Sequence, residues 1–314
     1  MAKQKLDQKR ALVWRVLFTV ALLLAAVYVL VRNWSTVSGS LRVARGGDPA
    51  WLGGALLLMA LTFCCSAAVY GVLALHRLHY RQTLLVGMAG AFVNRLLPAG
   101  LGGLSLNGVY LYRRGHSPAE ATVIVSVNNL LGIAAHVLLL TAVVMIRPQV
   151  VRTLFARHHV VVPWGWAVAV TVVICVAASL LPAIRRQLGR FVRHLAQSVR
   201  KLNLAKLAPA LLFSALLTAA YTGILACSAR SIGVELGLLQ LFVVFSFGML
   251  AGTATPTPGG LVGAEAGLFA GFVAYGVSSA DAGAAVLLFR LVTYWLPLIP
   301  GVVALARARN LGLV

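Results

Sequence analysis

The sequence predicts an all-α polytopic integral membrane protein, and three observations carry that prediction. The first is composition. Of 314 residues, 61% are hydrophobic and 11% are charged, whereas soluble domains carry about 25% charged residues. The second is the recurrence of apolar runs near the roughly 20 residues that cross a bilayer as helix. The third is a pair of interruptions where proline and glycine break an apolar run. We expect about six full spans plus two opposed re-entrant broken-helix pairs, arranged as a pseudo-inverted repeat. Residues 1–314 would form a single transmembrane domain.

Charge narrows the class. Lys and Arg total 27 against 6 Asp and Glu. Such a balance suits either nucleic acid or an anionic membrane surface. The basic residues lie mainly in short loops between apolar runs, not along one stripe of a folded domain. That pattern fits membrane lipids with anionic headgroups and excludes nucleic acid. Cys64, Cys65, Cys175 and Cys227 all lie in apolar segments, where cysteine packs as a small hydrophobe. No Cys/His spacing suits zinc, and no cofactor is expected.

In order, residues 1–10 read as a basic cytoplasmic tail and residues 11–31 as a first span. That apolar run is about twice a signal-peptide core and lacks a small-x-small cleavage site, so it is expected to be retained. Arg32–Pro49 reads as a polar loop, Trp51–Leu75 as the second span, and His76–Arg81 as a short basic loop. Gln82–Leu97 and Leu104–Tyr112 are apolar but short, and Asn94, Arg95, Pro98, Gly100, Gly102 and Gly103 lie at or between their ends. As helices they would measure about 14–24 Å, less than the ~30 Å core, so they are expected to enter and leave on one side.

Ser117 as N-cap, Pro118 at the first helical position and Glu120 at the third open a helix to about Ile146. Its Asn128, Asn129 and His136 must face protein or a cavity. A loop over 147–162 and a span over 163–181 follow. Residues 183–206 form a basic amphipathic helix, with Ile184, Leu188, Phe191 and Leu195 on one face and Arg186, Arg190 and Arg193 on another. It would lie flat on the cytoplasmic leaflet, either to contact anionic headgroups or to set topology. Leu207–Ser228 spans, Leu238–Val277 holds the second interruption, and Ala282–Ala306 spans last. With the N-terminus inside, eighteen loop and tail basic residues fall inside and seven outside. The positive-inside rule then puts both termini in the cytoplasm of a multi-pass cell-membrane protein.

The second interruption, Thr253-Ala-Thr-Pro256-Thr-Pro258-Gly259-Gly260-Leu-Val-Gly-Ala-Glu265, is where function is expected. Proline and glycine forbid a continuous helix. A broken helix frees backbone N–H and C=O groups that lipid cannot satisfy, so they must meet protein, water or a polar substrate. The half-helix beginning near Gly260 would aim its positive end at an anion. Arg95, Glu265 and Arg290 are the ionisable groups expected at depth. Arg290 is placed eight residues into the last helix, with Tyr294 one turn on. Glu265 is the carboxylate available there, so a Glu265–Arg290 pair is expected, either as part of a substrate site or as a structural clasp.

These residues also suggest a family. Pro256 to Glu265, followed by Arg290-Leu-Val-Thr-Tyr294-Trp-Leu-Pro297 and Gly301, resembles the C-terminal signature of the lysylphosphatidylglycerol synthase transmembrane region, a flippase-like domain. Asn94 to Pro98 and Gly102 resembles its N-terminal motif. Relatives often carry charges after that first proline and a Glu-Arg pair in the next helix; this chain has Gly100, Gly103 and Asn128-Asn129 there. The resemblance implies two opposed re-entrant elements and the movement or handling of polar lipids. It does not imply aminoacyl transfer, which belongs to a separate soluble domain in bifunctional relatives. On this reading Asn94, Arg95, Pro98, Asn128, Asn129, Pro256, Pro258, Gly259, Gly260, Glu265, Arg290 and Tyr294 are the candidate substrate-binding residues.

Two other functions compete. A membrane-embedded lipid glycosyl or phosphoryl transferase would need clustered carboxylates or a metal, which six scattered acids do not offer. An accessory subunit would dock a lipid-modifying enzyme as partner through the basic helix at 183–206. A homo-oligomer is compatible with either role. No catalytic constellation is evident, and a non-enzymatic role is expected.

Overall fold

The computed structural model describes residues 34–96, 101–150, 204–255, 257 and 260–314. The expected spans over 11–31 and 163–181 lie outside these residues. So do Pro98, Pro256, Pro258, Gly259 and all but the last three residues of the basic helix. Every described element is helical.

The chain runs through α1 (Trp34–Arg45), α2 (Pro49–Leu73), α3 (Tyr80–Leu96), α4 (Leu101–Arg113) and α5 (Pro118–Ile146). A short turn at Leu204–Lys206 leads into α6 (Leu207–Arg230), then α7 (Leu238–Ala254) and α8 (Gly263–Ala274). α9 (Ser279–Arg290) passes through a π-helical turn (Leu291–Trp295) into α10 (Leu298–Asn310). Among the described residues, α2, α5, α6 and the run from α9 through α10 are each long and apolar enough to cross a membrane. These are the four predicted spans that fall within the described chain.

Local chemistry explains the boundaries. Asp48 caps α2 by accepting the Ala50 N–H at 2.8 Å, with Pro49 opening the helix. At α5 the predicted start holds in detail. Glu120 donates its N–H to Ser117 Oγ at 3.3 Å, and Ser117 N–H donates to Glu120 Oε2 at 2.8 Å. This reciprocal box satisfies two N–H groups that the helix leaves open.

Two predictions need correction. The expected polar loop Arg32–Pro49 contains α1. Gly39 and neighbouring serines lower its intrinsic propensity, which is why sequence favours a loop. Packing against α9 supplies the missing stability: a Cβ at Gly39 would sit 3.7 Å from Ala280 Cβ. The last span starts at Ser279, not Ala282, because Ser278 caps it by accepting the Asp281 N–H at 3.2 Å. Arg290 is therefore eleven residues in, about 16 Å along the axis.

The core joins α2 and α6 to the C-terminal half. Ala55, Met59, Ile224, Leu225, Leu241, Phe245, Phe272 and Phe289 are buried in one cluster. α10 lies on α3, where a Cβ on Gly301 would come within 2.6 Å of Phe92 Cβ. α5 is much less enclosed, with Ile133, Leu138, Met145 and Ile146 all exposed, as suits a helix facing lipid.

Candidate functional site

The site is built where the chain is broken. α7 ends at Ala254 and α8 begins at Gly263. Threonine hydroxyls take up carbonyls near the break: Thr255 Oγ1 donates to Ala251 O at 2.7 Å, and Thr257 Oγ1 donates to Leu261 O at 2.6 Å. The turn needs unusual backbone. Gly260 has φ +65° and Val262 has φ +72°. For a β-branched residue that is a strained conformation.

α7 and α8 pack through glycine. A Cβ on Gly263 would fall 2.6 Å from Ala251 O, and one on Gly267 would fall 2.6 Å from Phe247 O. A Cβ on Gly271 would also crowd α7, 3.2 Å from Val244 Cα. These four-residue steps place all three glycines on one face of α8. Glu265 lies about 200° around the helix from Gly263, so it points away from α7. It also occupies the first turn of α8, so the helix's positive end meets this carboxylate first.

The predicted pair forms. Arg290 Nε donates to Glu265 Oε1 at 2.5 Å, with the two side chains 13% and 31% exposed. Tyr294 joins them, its ring centroid 5.1 Å from Arg290 Cζ. The structure also brings in Arg95 from the end of α3. Its Cζ is 5.5 Å from the same ring, and Tyr294 OH donates to Arg95 O at 3.4 Å.

Arg95 is tied across the break by the Thr293 carbonyl. In an α-helix that carbonyl would accept the N–H of residue 297, but Pro297 has none. Arg95 Nη2 donates to it instead, and Nη1 donates to Ala91 O at 2.5 Å. The π turn, marked by Leu296 N–H donating to Leu291 O at 2.9 Å, shifts the register here. Thr293 was not among the expected site residues. The signal for it was Pro297 four residues later, although the donor, 198 positions away in sequence, was not legible.

Of the expected residues, Arg95, Glu265, Arg290 and Tyr294 come together. Asn94 is half-buried beside Arg95, and Gly260 shapes the turn leading to α8. Asn128 and Asn129 stand elsewhere. Asn128 Nδ2 donates to Tyr70 OH of α2 at 3.5 Å, and Asn129 lines a groove of about 500 Å³ between α4 and α5. Among the described residues, no three His, Cys, Asp or Glu side chains gather to hold a metal.

Sequence comparison bears on this geometry. The family model for the lysylphosphatidylglycerol synthase transmembrane region matches residues 13–301. The chain belongs to that family. No curated protein matches it. Membership in the lysylphosphatidylglycerol synthase transmembrane-region family, together with the four long apolar helices, makes this a membrane protein connected with lipid metabolism or transport. The matched region contains both broken-helix pairs and every residue of the cluster.

Chemically, the cluster holds two guanidinium groups and one carboxylate around an aromatic ring. Arg290 is neutralised by Glu265. The described acceptors of Arg95 are backbone carbonyls, and its Nε is buried without a hydrogen bond. One positive charge is left over beside the last helix run, which Arg95 of the first broken pair and Glu265 of the second both reach.

Proposed function

We propose that this protein translocates polar, anionic lipids or lipid-linked molecules across the cytoplasmic membrane without covalent chemistry. The observation that carries this reading is the excess positive charge where Arg95 of the first broken-helix pair and Glu265 of the second both meet the last helix run. A cation held at depth in an apolar protein is expensive, and such groups mark substrate or ion paths. Interrupted helices in two halves of a chain favour a transport site between them.

In this reading each pair is re-entrant. The limbs have 17 and 13 residues in the first pair and 17 and 12 in the second, so one limb of each is too short to cross alone. The headgroup would pass along the polar cluster while acyl chains remain in the bilayer. Both termini would lie in the cytoplasm. Reconstitution into vesicles with fluorescent anionic and aminoacylated lipids tests the proposal. Faster exchange between leaflets than in empty vesicles is expected for anionic lipid; no acceleration across a broad panel would sink it.

A further inference from the structure

The charge at the junction also limits which lipids it can accept. Five of the six acidic residues lie among the described residues. Asp48 caps α2, Glu120 closes the capping box of α5, and Asp281 accepts the Ser278 hydroxyl at 2.7 Å at the start of α9. Glu235 sits in the turn before α7. Among the described residues Glu265 is thus the carboxylate of the cluster, and its short contact with Arg290 commits it there.

Arg95 is half-buried and donates to neutral carbonyls. A partly buried cation without an anion is destabilising. The planar fork of arginine matches phosphate oxygens, and Nε–H forms one edge of that fork.

We infer that Arg95 is the anion-binding group and that the cluster selects headgroups with one net negative charge, as in a phosphodiester with an uncharged substituent, with Glu265 setting that limit. This deepens the translocation reading and rests on it. Two guanidinium groups and one carboxylate leave one positive charge, which a monoanion cancels. A zwitterion brings an ammonium group and leaves the excess in place. A dianion leaves a negative charge facing Glu265. Residual charge weighs heavily in a low-dielectric site. Tyr294, within 5.5 Å of both guanidinium carbons, holds the two cations on one ring.

The test uses the purified full chain with three lipids. Phosphatidylglycerol is the monoanion, phosphatidylethanolamine the zwitterion, and phosphatidate at about pH 9 the dianion. Retention is read by native mass spectrometry and movement by leaflet exchange of labelled forms in vesicles. The monoanion should be retained and moved roughly tenfold better than the others. E265Q should raise the dianion-to-monoanion ratio by roughly fivefold, R95Q should abolish the preference, and R95K should keep part of it.

Equal handling of the monoanion and the zwitterion overturns this selection and leaves translocation standing. Selective retention without movement overturns translocation and leaves the binding site. An E265Q ratio equal to wild type removes Glu265 from the selection. Should E265Q fail to fold, the wild-type ranking with R95K decides.

Discussion

The two broken-helix pairs are built on different principles. The second, α7 with α8, is closed along its length by glycine, with backbones in near contact at Gly263, Gly267 and Gly271. Small residues let helices approach where lipid offers no hydrophobic drive for association. The first, α3 with α4, is fastened by polar side chains towards the end away from its break. Thr83 Oγ1 and Tyr110 OH share a hydrogen bond of 3.1 Å while both residues are buried, and Arg114 donates to Gln82 Oε1. Arg113 Nη1 donates to Gly312 O at 2.9 Å. Gly87 and Gly108 have open space where a Cβ would go.

The contrast separates rigidity from charge. The zipped pair fixes Glu265, which α8 carries on the face opposite its glycines. The fastened pair contributes Arg95 at its free end and is held at the far end by a histidine. His116 Nε2 accepts the N–H groups of Leu75 and His76 at 3.1 and 3.3 Å, and Nδ1–H donates to Leu111 O at 3.0 Å. Accepting two N–H groups requires a bare Nε2, so His116 is neutral here.

The comparison can be broken most sharply at the glycines. Gly267→Leu should destabilise by about 3 kcal/mol or more, because the new side chain meets the Phe247 carbonyl, which is backbone and cannot yield. Denaturant titration in mixed micelles measures it. A loss no larger than that of a surface substitution would show that α7 and α8 are not closed as described.

Glu265→Ala should cost about 2 kcal/mol, less than a fully buried pair because Glu265 is 31% exposed. The Glu265→Ala/Arg290→Ala double variant should recover part of that loss. A double-mutant cycle showing no coupling would dissolve the pair.

For the first pair, acid is the lever. Burial pushes the His116 pKa below the ordinary 6.5, His76 adds to the effect, and the Leu111 carbonyl and Glu120 partly offset it. The folded state then binds fewer protons than the unfolded state. The stabilisation is fully present above about pH 6.5 and is lost as pH falls towards the lower folded value. Wild-type stability should therefore fall below pH 6.5, while His116→Asn should lose about 1 kcal/mol at neutral pH and show a flatter acid slope. Parallel slopes would remove His116 from the account.

The smallest effects have the opposite sign. Val262→Gly should stabilise by up to about 1 kcal/mol, since it relieves a φ of +72° at a residue already 58% exposed. Gly87→Ala should stabilise by a few tenths of a kcal/mol through helix propensity alone. Destabilisation at Gly87 would mean that the first pair is also closely packed.

Much of the scaffold was legible from residues in a row. Apolar runs marked α2, α5 and α6, and Ser117, Pro118 and Glu120 marked the start of α5. Proline and glycine marked both breaks. The scarcity of acids pointed to Glu265 and Arg290 as partners, since a buried charge needs a counter-charge and the choice was short. α1 was not legible, because contact with α9 outweighs its weak propensity.

The sequence alone determined that the chain is a membrane protein, where its apolar helices break, and which carboxylate and guanidinium would pair. These follow from hydropathy, from the backbone chemistry of proline and glycine, and from charge balance, which are all local or compositional. Tertiary structure decided that Arg95 reaches the Thr293 carbonyl, that Tyr294 lies beside both arginines, and that Asn128 turns to Tyr70 instead. Those contacts depend on how α3, α9 and α10 pack, and side-chain reach across such distances in the chain is set only when the helices meet.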